Sequence, residues 1–489
     1  TLVFPYAFMN NPSSMFGHTL LRIDQKGQTE QTRILAYTIN FAADVPPDAG
    51  ISFAVNGIFG GYKGYFSTVP YYLKVQEYRD IENRDIWEYR LNLSEDQVRR
   101  LLMHAWELGN AYFDYFFFKE NCSYHLLSLL DVANPDWHLT DQFLFWTVPA
   151  DTVRLVTQQP GLIADIAYRP SRSTQIRRRR EHLSEEERLG LRRITQDPDW
   201  IQSEEFRGRP PARQALVLDL ASDYLRYRGM ADKDNATYYK DKIRNVLTAR
   251  SQIRVKPIDI PITPRSEPPE QGHRTSRAGV AVGWREDEFF EEVNLRVGYH
   301  DLLDPDVGYA RDAQIEILGA SLRHYNRRDQ TRLERFTLIN IVSLAPIDTL
   351  FKFPSWKVNA GMQTVRHKGC KLCSNGVFNA GIGGSVETNV LGREVFFAFA
   401  EVESNYSHAY VDDHRIGGGG TVGLLGTLTD RWKVLLSASY LRFPLGERSE
   451  DVRFSFGQRY TVQQNLALRL EFNHRDHDNE ALFTVHAYF

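Results

Sequence analysis

The sequence predicts an α+β domain, then a helical connector, then an antiparallel transmembrane β-barrel of roughly twelve strands. Three observations carry this. The chain has 489 residues, too many for one compact core. Between residues 256 and 272 stand Pro257, Pro261, Pro264, Pro268 and Pro269 among polar residues, a composition that favours an extended linker. Beyond that linker, segments of about ten residues alternate apolar with polar or small side chains between Gly, Asp, Asn and Pro turn signals.

Residues 1–170 mix short strand-like runs with one strong helical segment, as a compact α+β domain does. The first residues, Thr1-Leu2-Val3-Phe4-Pro5, read as a strand already under way, so the start is expected to be that of a processed form or a fragment. Residues 171–272 form the connector and linker. Glu185–Leu189 and Ala215–Ala221 carry its helical pattern, and Pro210-Pro211 interrupts it.

Residues 273–489 form the barrel. Val452, Phe454, Phe456 and Tyr460 alternate with Arg453, Ser455, Gly457 and Arg459; Leu466, Leu468, Leu470 and Phe472 alternate with Ala467, Arg469, Glu471 and Asn473. A soluble sandwich alternates in the same way, with its apolar face inward. The chain's end separates the two. Ala481, Phe483, Val485, Ala487 and Phe489 share one face of a last strand that stops on an aromatic residue, which resembles the C-terminal targeting signal of bacterial outer-membrane proteins. By that resemblance the barrel-insertion machinery is a partner. Inward residues such as Asn294, Arg296, Arg469 and Glu471 predict a polar lumen.

Charge excludes little beyond one class. Lys plus Arg number 59 against 62 Asp plus Glu, a formal charge of −3, so no nucleic-acid partner is expected. The run Arg177–Arg180 reads as a solvated face, with anionic lipid head groups as the alternative. No stretch approaches the ~20 consecutive apolar residues of a membrane helix. No cofactor or metal is implied.

Three cysteines make an odd count. Cys370 and Cys373 are spaced for a disulfide across a loop tip, since no second ligand pair accompanies them for a metal. Cys122 remains. It follows Asn121, a good helix cap, and precedes Leu126, Leu129, Leu130 and Ala133 at helical spacing. A helix N-terminus favours a thiolate and offers amides to an oxyanion. His18, where a turn-rich stretch meets an alternating strand, is the candidate base, and His125 is its weaker rival.

The segments Asn11-Pro12-Ser13-Ser14-Met15-Phe16-Gly17-His18-Thr19, Gly60-Gly61-Tyr62-Lys63-Gly64-Tyr65-Phe66 and Glu120-Asn121-Cys122-Ser123-Tyr124 resemble the N-terminal periplasmic domain of Lnb-type lipoprotein N-acyltransferases. The resemblance covers roughly residues 1–150. It implies a circularly permuted papain or NlpC-like fold, related to the lecithin:retinol acyltransferase group, with the histidine strand ahead of the cysteine helix. It also implies Cys122 as nucleophile carrying an acyl-thioester, and His18 as general base and later acid. The orienting residue is expected on the strand after the histidine, at Asn40 or Tyr37. Lys63, Tyr65 and Tyr71 are candidate substrate-groove residues, and the aromatic runs Tyr112–Phe118 and Tyr71-Tyr72 are candidates for holding an acyl chain.

The family is anchored by membrane helices, whereas this chain carries a barrel. Three functions stay open. The first is an outer-membrane-anchored thiol acyltransferase or acyl hydrolase acting on phospholipid or lipoprotein in the periplasm. The second is a peptidoglycan amidase or endopeptidase with the same pair. The third is a barrel transporter or anchor whose soluble domain is inactive.

Overall fold

The computed structural model describes residues 1–489 apart from Phe8, residues 10–14, Phe16, residues 47–51 and residues 265–266, with the backbone alone for residues 52–55. It divides into two compact units, Thr1–Arg265 and Ser266–Phe489.

The first unit is built on a seven-stranded antiparallel sheet. Its strands are β1 (Leu2–Pro5), β2 (Leu20–Ile23), β3 (Tyr37–Ala43), β4 (Tyr62–Pro70), β5 (Ile86–Leu91), β6 (Tyr112–Tyr115) and β7 (Ile163–Arg169), in the order β6-β4-β3-β2-β1-β5-β7. The helices are α1 (Ser52–Phe59), α2 (Tyr71–Val75), α3 (Glu95–Glu107), α4 (Cys122–Ala133) and α5 (Pro149–Gln158). Five more follow: α6 (Arg172–Glu181), α7 (Glu185–Gln196), α8 (Glu204–Arg207), α9 (Pro211–Ala231) and α10 (Ala236–Gln252). These last five carry the helical pattern of the connector, and they belong to the same compact unit as the sheet.

Strand parity decides what each face of the sheet packs. Phe41 pairs with Phe66 and Gly64 with Phe113, so these aromatics share a face. That face meets His125 of α4, whose ring lies 4.1 Å from Phe41 and 4.7 Å from Phe113. On the opposite face Val3, Leu20 and Ile86 pack with Tyr71 and Val75 of α2 and with Tyr78 of the π-helical turn Gln76–Ile81. An ion network is buried there as well. Glu88 accepts from Tyr71 Oη (2.6 Å), Arg22 (2.5 Å) and Arg169 (2.7 Å), so each charged group taken out of water has a partner.

The basic run is partly consumed inside the fold. Arg178 donates to the carbonyls of Thr263 and Pro264, and Arg179 pairs with Asp223 at 2.7 Å.

The second unit is a closed barrel of twelve strands: β8 (Arg277–Arg285), β9 (Glu288–His300), β10 (Ala313–Tyr325), β11 (Gln330–Ser343), β12 (Ser355–His367), β13 (Cys370–Thr388), β14 (Arg393–Tyr406), β15 (His414–Thr429), β16 (Trp432–Gly446), β17 (Ser449–Gln463), β18 (Leu466–Arg475) and β19 (Asp478–Tyr488). Neighbours in sequence pair antiparallel, and β19 closes on β8 with Val485 opposite Val280. Closure gives every ladder a partner, which hydrocarbon demands of a sheet. The apolar set of the alternation faces outward, as Val280, Val293, Val452, Phe454, Phe472 and Phe483 are all exposed. The polar set turns inward around a cavity of about 380 Å³ that Asn294, Arg296, Arg469 and Glu471 help to line. Lumenal charges are paired: Arg285 with Glu334 (2.8 Å) and Asp478 (2.5 Å), Arg323 with Glu292 (2.8 Å), Arg415 with Asp451 (2.8 Å). Cys370 and Cys373 form a disulfide where β12 turns into β13.

Candidate active site

The site forms at the start of β2. Gly17, at φ +82°, turns the chain into the strand, and a Cβ there would lie 2.8 Å from the Phe4 ring. His18 follows, its amide donating to Pro5 O at 3.3 Å. Arg84 fixes that stretch of β1 by donating to the carbonyls of Pro5 and Tyr6, each at 2.6 Å. Asn11, Pro12, Ser13, Ser14 and Phe16 of the histidine motif lie outside the described residues.

His18 Nε2 and Asn40 Oδ1 are 2.7 Å apart, and Asn40 Nδ2 reaches Ser67 Oγ at 3.5 Å. This orientation of the amide makes Asn40 the acceptor, so neutral His18 carries its proton on Nε2 and its basic nitrogen is Nδ1. His18 also hydrogen-bonds the Cys122 side chain. Of the two candidates for the orienting residue, Asn40 is buried against the imidazole while Tyr37 is exposed.

Cys122 opens α4, and Asn121 caps it. Asn121 Oδ1 accepts from the Ser123 and Tyr124 amides at 3.0 and 3.2 Å, while Nδ2 donates to the carbonyls of Phe117 (3.0 Å) and Thr147 (2.7 Å). This corrects the expectation that several helix amides stand free for an oxyanion. Two of them are taken by the cap, and the Cys122 amide donates to Tyr115 Oη at 3.3 Å. The donors left for an oxyanion are therefore the Tyr115 O–H and, once it gives up Tyr115 Oη, the Cys122 N–H.

Burial pushes the Cys122 thiol up, but the His18 charge and hydrogen bond, the Thr19 amide and the Tyr115 hydroxyl outweigh it and hold the thiol at about 7. Burial depresses His18, and the Cys122 charge with hydrogen bonds to Cys122 and Asn40 reverses this, leaving the imidazole above 6.5. Each group thus favours the charged form of the other. His125 is no rival. It sits among Phe41, Phe66 and Phe113, and burial pulls it down to about 4.

The candidate groove residues divide. Lys63 and Tyr65 point to the Asn40 side of β4 and are exposed, with Lys63 Nζ 4.0 Å over the Tyr112 ring. Tyr71 is fully buried and bound to Glu88, so it lines no groove; its hydroxyl serves the ion network. Tyr115 was missed by sequence reasoning. The parity of β6 was the signal, since Tyr112 and Asp114 face out while Phe113 and Tyr115 face the helix.

In the second unit, His273, His300 and Asp304 gather in a buried cluster. His273 Nε2 and His300 Nδ1 are 3.1 Å apart with ring planes 13° from parallel and centroids 5.4 Å apart. That separation is as large as the contact allows, so the nitrogens point at each other rather than at a shared third point. The pair is a hydrogen bond, and Asp304 already answers Arg296 at 3.0 Å and Tyr488 Oη at 2.7 Å.

Fold and site together define an outer-membrane β-barrel protein with an α+β domain that carries a buried Cys–His–Asn cluster. Residues 1–159 match the family described as the Lnb N-terminal periplasmic domain. Residues 166–258 and 266–488 match two domains of unknown function, DUF7842 and DUF7840. No curated protein matches the chain. Among solved structures it is similar to the KdgM porin, at 8% identity, covering 44% of this chain and 99% of that one with a TM-score of 0.28. It is also similar to the NanC porin, at 8% identity, 43% and 98% coverage and a TM-score of 0.27. A third is an outer membrane channel from Pseudomonas putida F1, at 8% identity, 48% and 100% coverage and a TM-score of 0.27. The barrel lies in the outer membrane and the N-terminal domain in the periplasm.

Proposed function

We propose that the N-terminal domain is a thiol acyltransferase or acyl hydrolase acting on lipids or lipoproteins, with an acyl-thioester on Cys122 as its intermediate. One observation carries the reading: a nucleophile, a base and an orienting amide in hydrogen-bond sequence, with the thiol held at about 7. The likeness of residues 1–159 to the Lnb domain supports acyl chemistry. The order of His18 before Cys122 supports a permuted papain-like arrangement.

In this reading His18 Nδ1 takes the thiol proton as the sulfur attacks an ester carbonyl. The Cys122 N–H and Tyr115 O–H exchange their mutual bond for the developing oxyanion. The carbon–oxygen bond breaks, His18 returns its proton to the leaving alcohol, and the acyl group remains on sulfur. An amine or water then attacks the thioester, giving its proton to His18, and the sulfur leaves and is reprotonated. Asn40 holds the ring in the needed tautomer throughout.

The test is mass spectrometry of the full chain purified from envelopes. The reading expects a fatty-acyl mass on the Cys122 peptide that neutral hydroxylamine removes and Cys122→Ala lacks. A peptide or muropeptide adduct on Cys122 would move the substrate to the cell wall. A thiol that stays unmodified, with wild-type envelope lipids and lipoproteins in Cys122→Ala cells, would return the domain to a non-enzymatic role.

A further inference from the structure

After Trp106 of α3, at 86%, the most exposed large apolar side chains among the described residues of the first unit are Phe59 at 77%, Phe145 at 76% and Leu144 at 74%. Single exposed apolar residues are ordinary, but these are gathered around one segment. The segment 116–121 delivers Cys122 to its site. On one side the end of α1 is fastened to it. Phe117 N donates to Gly57 O at 2.7 Å, and a Cβ on Gly57 or Gly60 would lie 2.2 Å from the Phe117 ring or 2.4 Å from the Phe116 ring. On the other side Thr147 N donates to Phe118 O at 2.7 Å, and Asn121 Nδ2 holds Thr147 O. Phe59 and the Leu144-Phe145 pair thus flank the same short segment, and Lys119, half-exposed and 3.9 Å from the Glu120 carboxylate, stands on it between them.

We infer that this rim is a membrane-docking surface whose occupant is the interfacial layer of a phospholipid bilayer. Aromatic and aliphatic side chains around a lysine suit the boundary between acyl chains and phosphates, with the rings in the apolar layer and the ammonium at head-group level. What selects a bilayer over another protein is the chain itself. The domain continues directly into a barrel whose outward face is apolar around its circumference, so a bilayer is present at high effective concentration. Docking there would hold the segment that delivers Cys122 at the membrane surface. The inference deepens the acyl-transfer reading and rests on it for the substrate's source, while the docking has its own readout.

The experiment uses the full chain carrying Cys122→Ala, so that one introduced thiol reacts, with an environment-sensitive fluorophore at Phe59→Cys, Phe145→Cys or, as control, Tyr238→Cys. Tyr238, on α10, is exposed and lies in a polar sequence. The protein is reconstituted in vesicles of phosphatidylethanolamine and phosphatidylglycerol, with and without doxyl-labelled lipid. Emission at positions 59 and 145 should fall about two-fold with the quencher and at 238 hardly at all, as an interfacial depth requires. Quenching at 145 should be lost when Phe59→Ser and Leu144→Ser are added. Equal quenching at all three positions, none at 59 and 145, or persistence in the serine background would overturn the inference. So would a signal set by protein density rather than by doxyl lipid, which would report a second copy. Quenching here, with no acyl adduct on Cys122 of the wild-type chain purified from envelopes, would leave docking standing and remove the acyl-transfer reading; an adduct on the wild-type chain without quenching here would do the reverse.

Discussion

Replacing Asn40 with alanine tests the site without knowledge of its substrate. Asn40 Oδ1 receives the His18 Nε2 proton at 2.7 Å, a bond that favours the charged ring. Neutral His18 makes the same bond, so only the excess of a charged over a neutral hydrogen bond counts, about 1–1.5 kcal/mol, which at 1.36 kcal/mol per pH unit is roughly 1 unit of His18 basicity. The imidazolium is what holds the Cys122 thiolate at about 7 against burial, so a weaker imidazolium must let the thiol climb. In Asn40→Ala the thiolate inflection is expected to rise by up to roughly 1 unit above the wild-type value, towards that of a free thiol. The assay is ultraviolet absorbance of the thiolate against pH on the full chain in detergent, with the Cys122→Ser titration subtracted. A wild-type inflection near that of a free thiol, or an Asn40→Ala inflection unmoved from about 7, would refute the argument. Tyr37→Phe, on an exposed ring of the same strand, should leave the curve in place.

Tyr115→Phe should raise the thiolate inflection as well, because the hydroxyl that supports the sulfur is gone, and should slow acylation of Cys122 by about 10²-fold or more, the usual effect of losing one oxyanion donor. Glu88→Gln is expected to destabilise the first unit by about 3–5 kcal/mol in denaturant unfolding, since Arg22 and Arg169 lose a buried partner. Burial would raise Glu88, yet Arg169 and Arg22 hold it below 4.5; its stabilisation is complete above that value and drains as pH falls through the lowered one, so acid should narrow the gap between wild type and variant. Val280→Arg places a charge on the outward face between Val485 and Val293 and should cost about 2–4 kcal/mol in lipid vesicles if it lies at mid-depth, less towards either rim.

The barrel was legible because a strand's period of two is written directly into sequence. Val452, Phe454 and Phe472 could be assigned to one face from spacing alone, and the terminal Phe489 favoured the membrane over a sandwich. Which face meets hydrocarbon depends on closure, a long-range property, and only the pairing of β19 with β8 decided it.

In the first unit the sequence named Cys122, His18 and Asn40, because a cap, a turn-to-strand junction and a polar residue on the next strand are local features. It misassigned Tyr71. A tyrosine beside a glycine- and aromatic-rich segment looks like a groove residue until the partners of Glu88 arrive from β2 and β7. Tyr115 was hidden in a run of seven residues rich in rings, where only the register of β6 against β4 shows which ring faces the thiol.

The sequence by itself determined the division into an α+β domain and a barrel and singled out Cys122 and His18 as the proposed pair, since these follow from periodicity and residue chemistry. The tertiary structure decided the state of that chemistry. Whether a thiol sits at about 7 depends on the balance between burial and the imidazole, amide and hydroxyl that two distant segments, at His18-Thr19 and at Tyr115, bring to one sulfur.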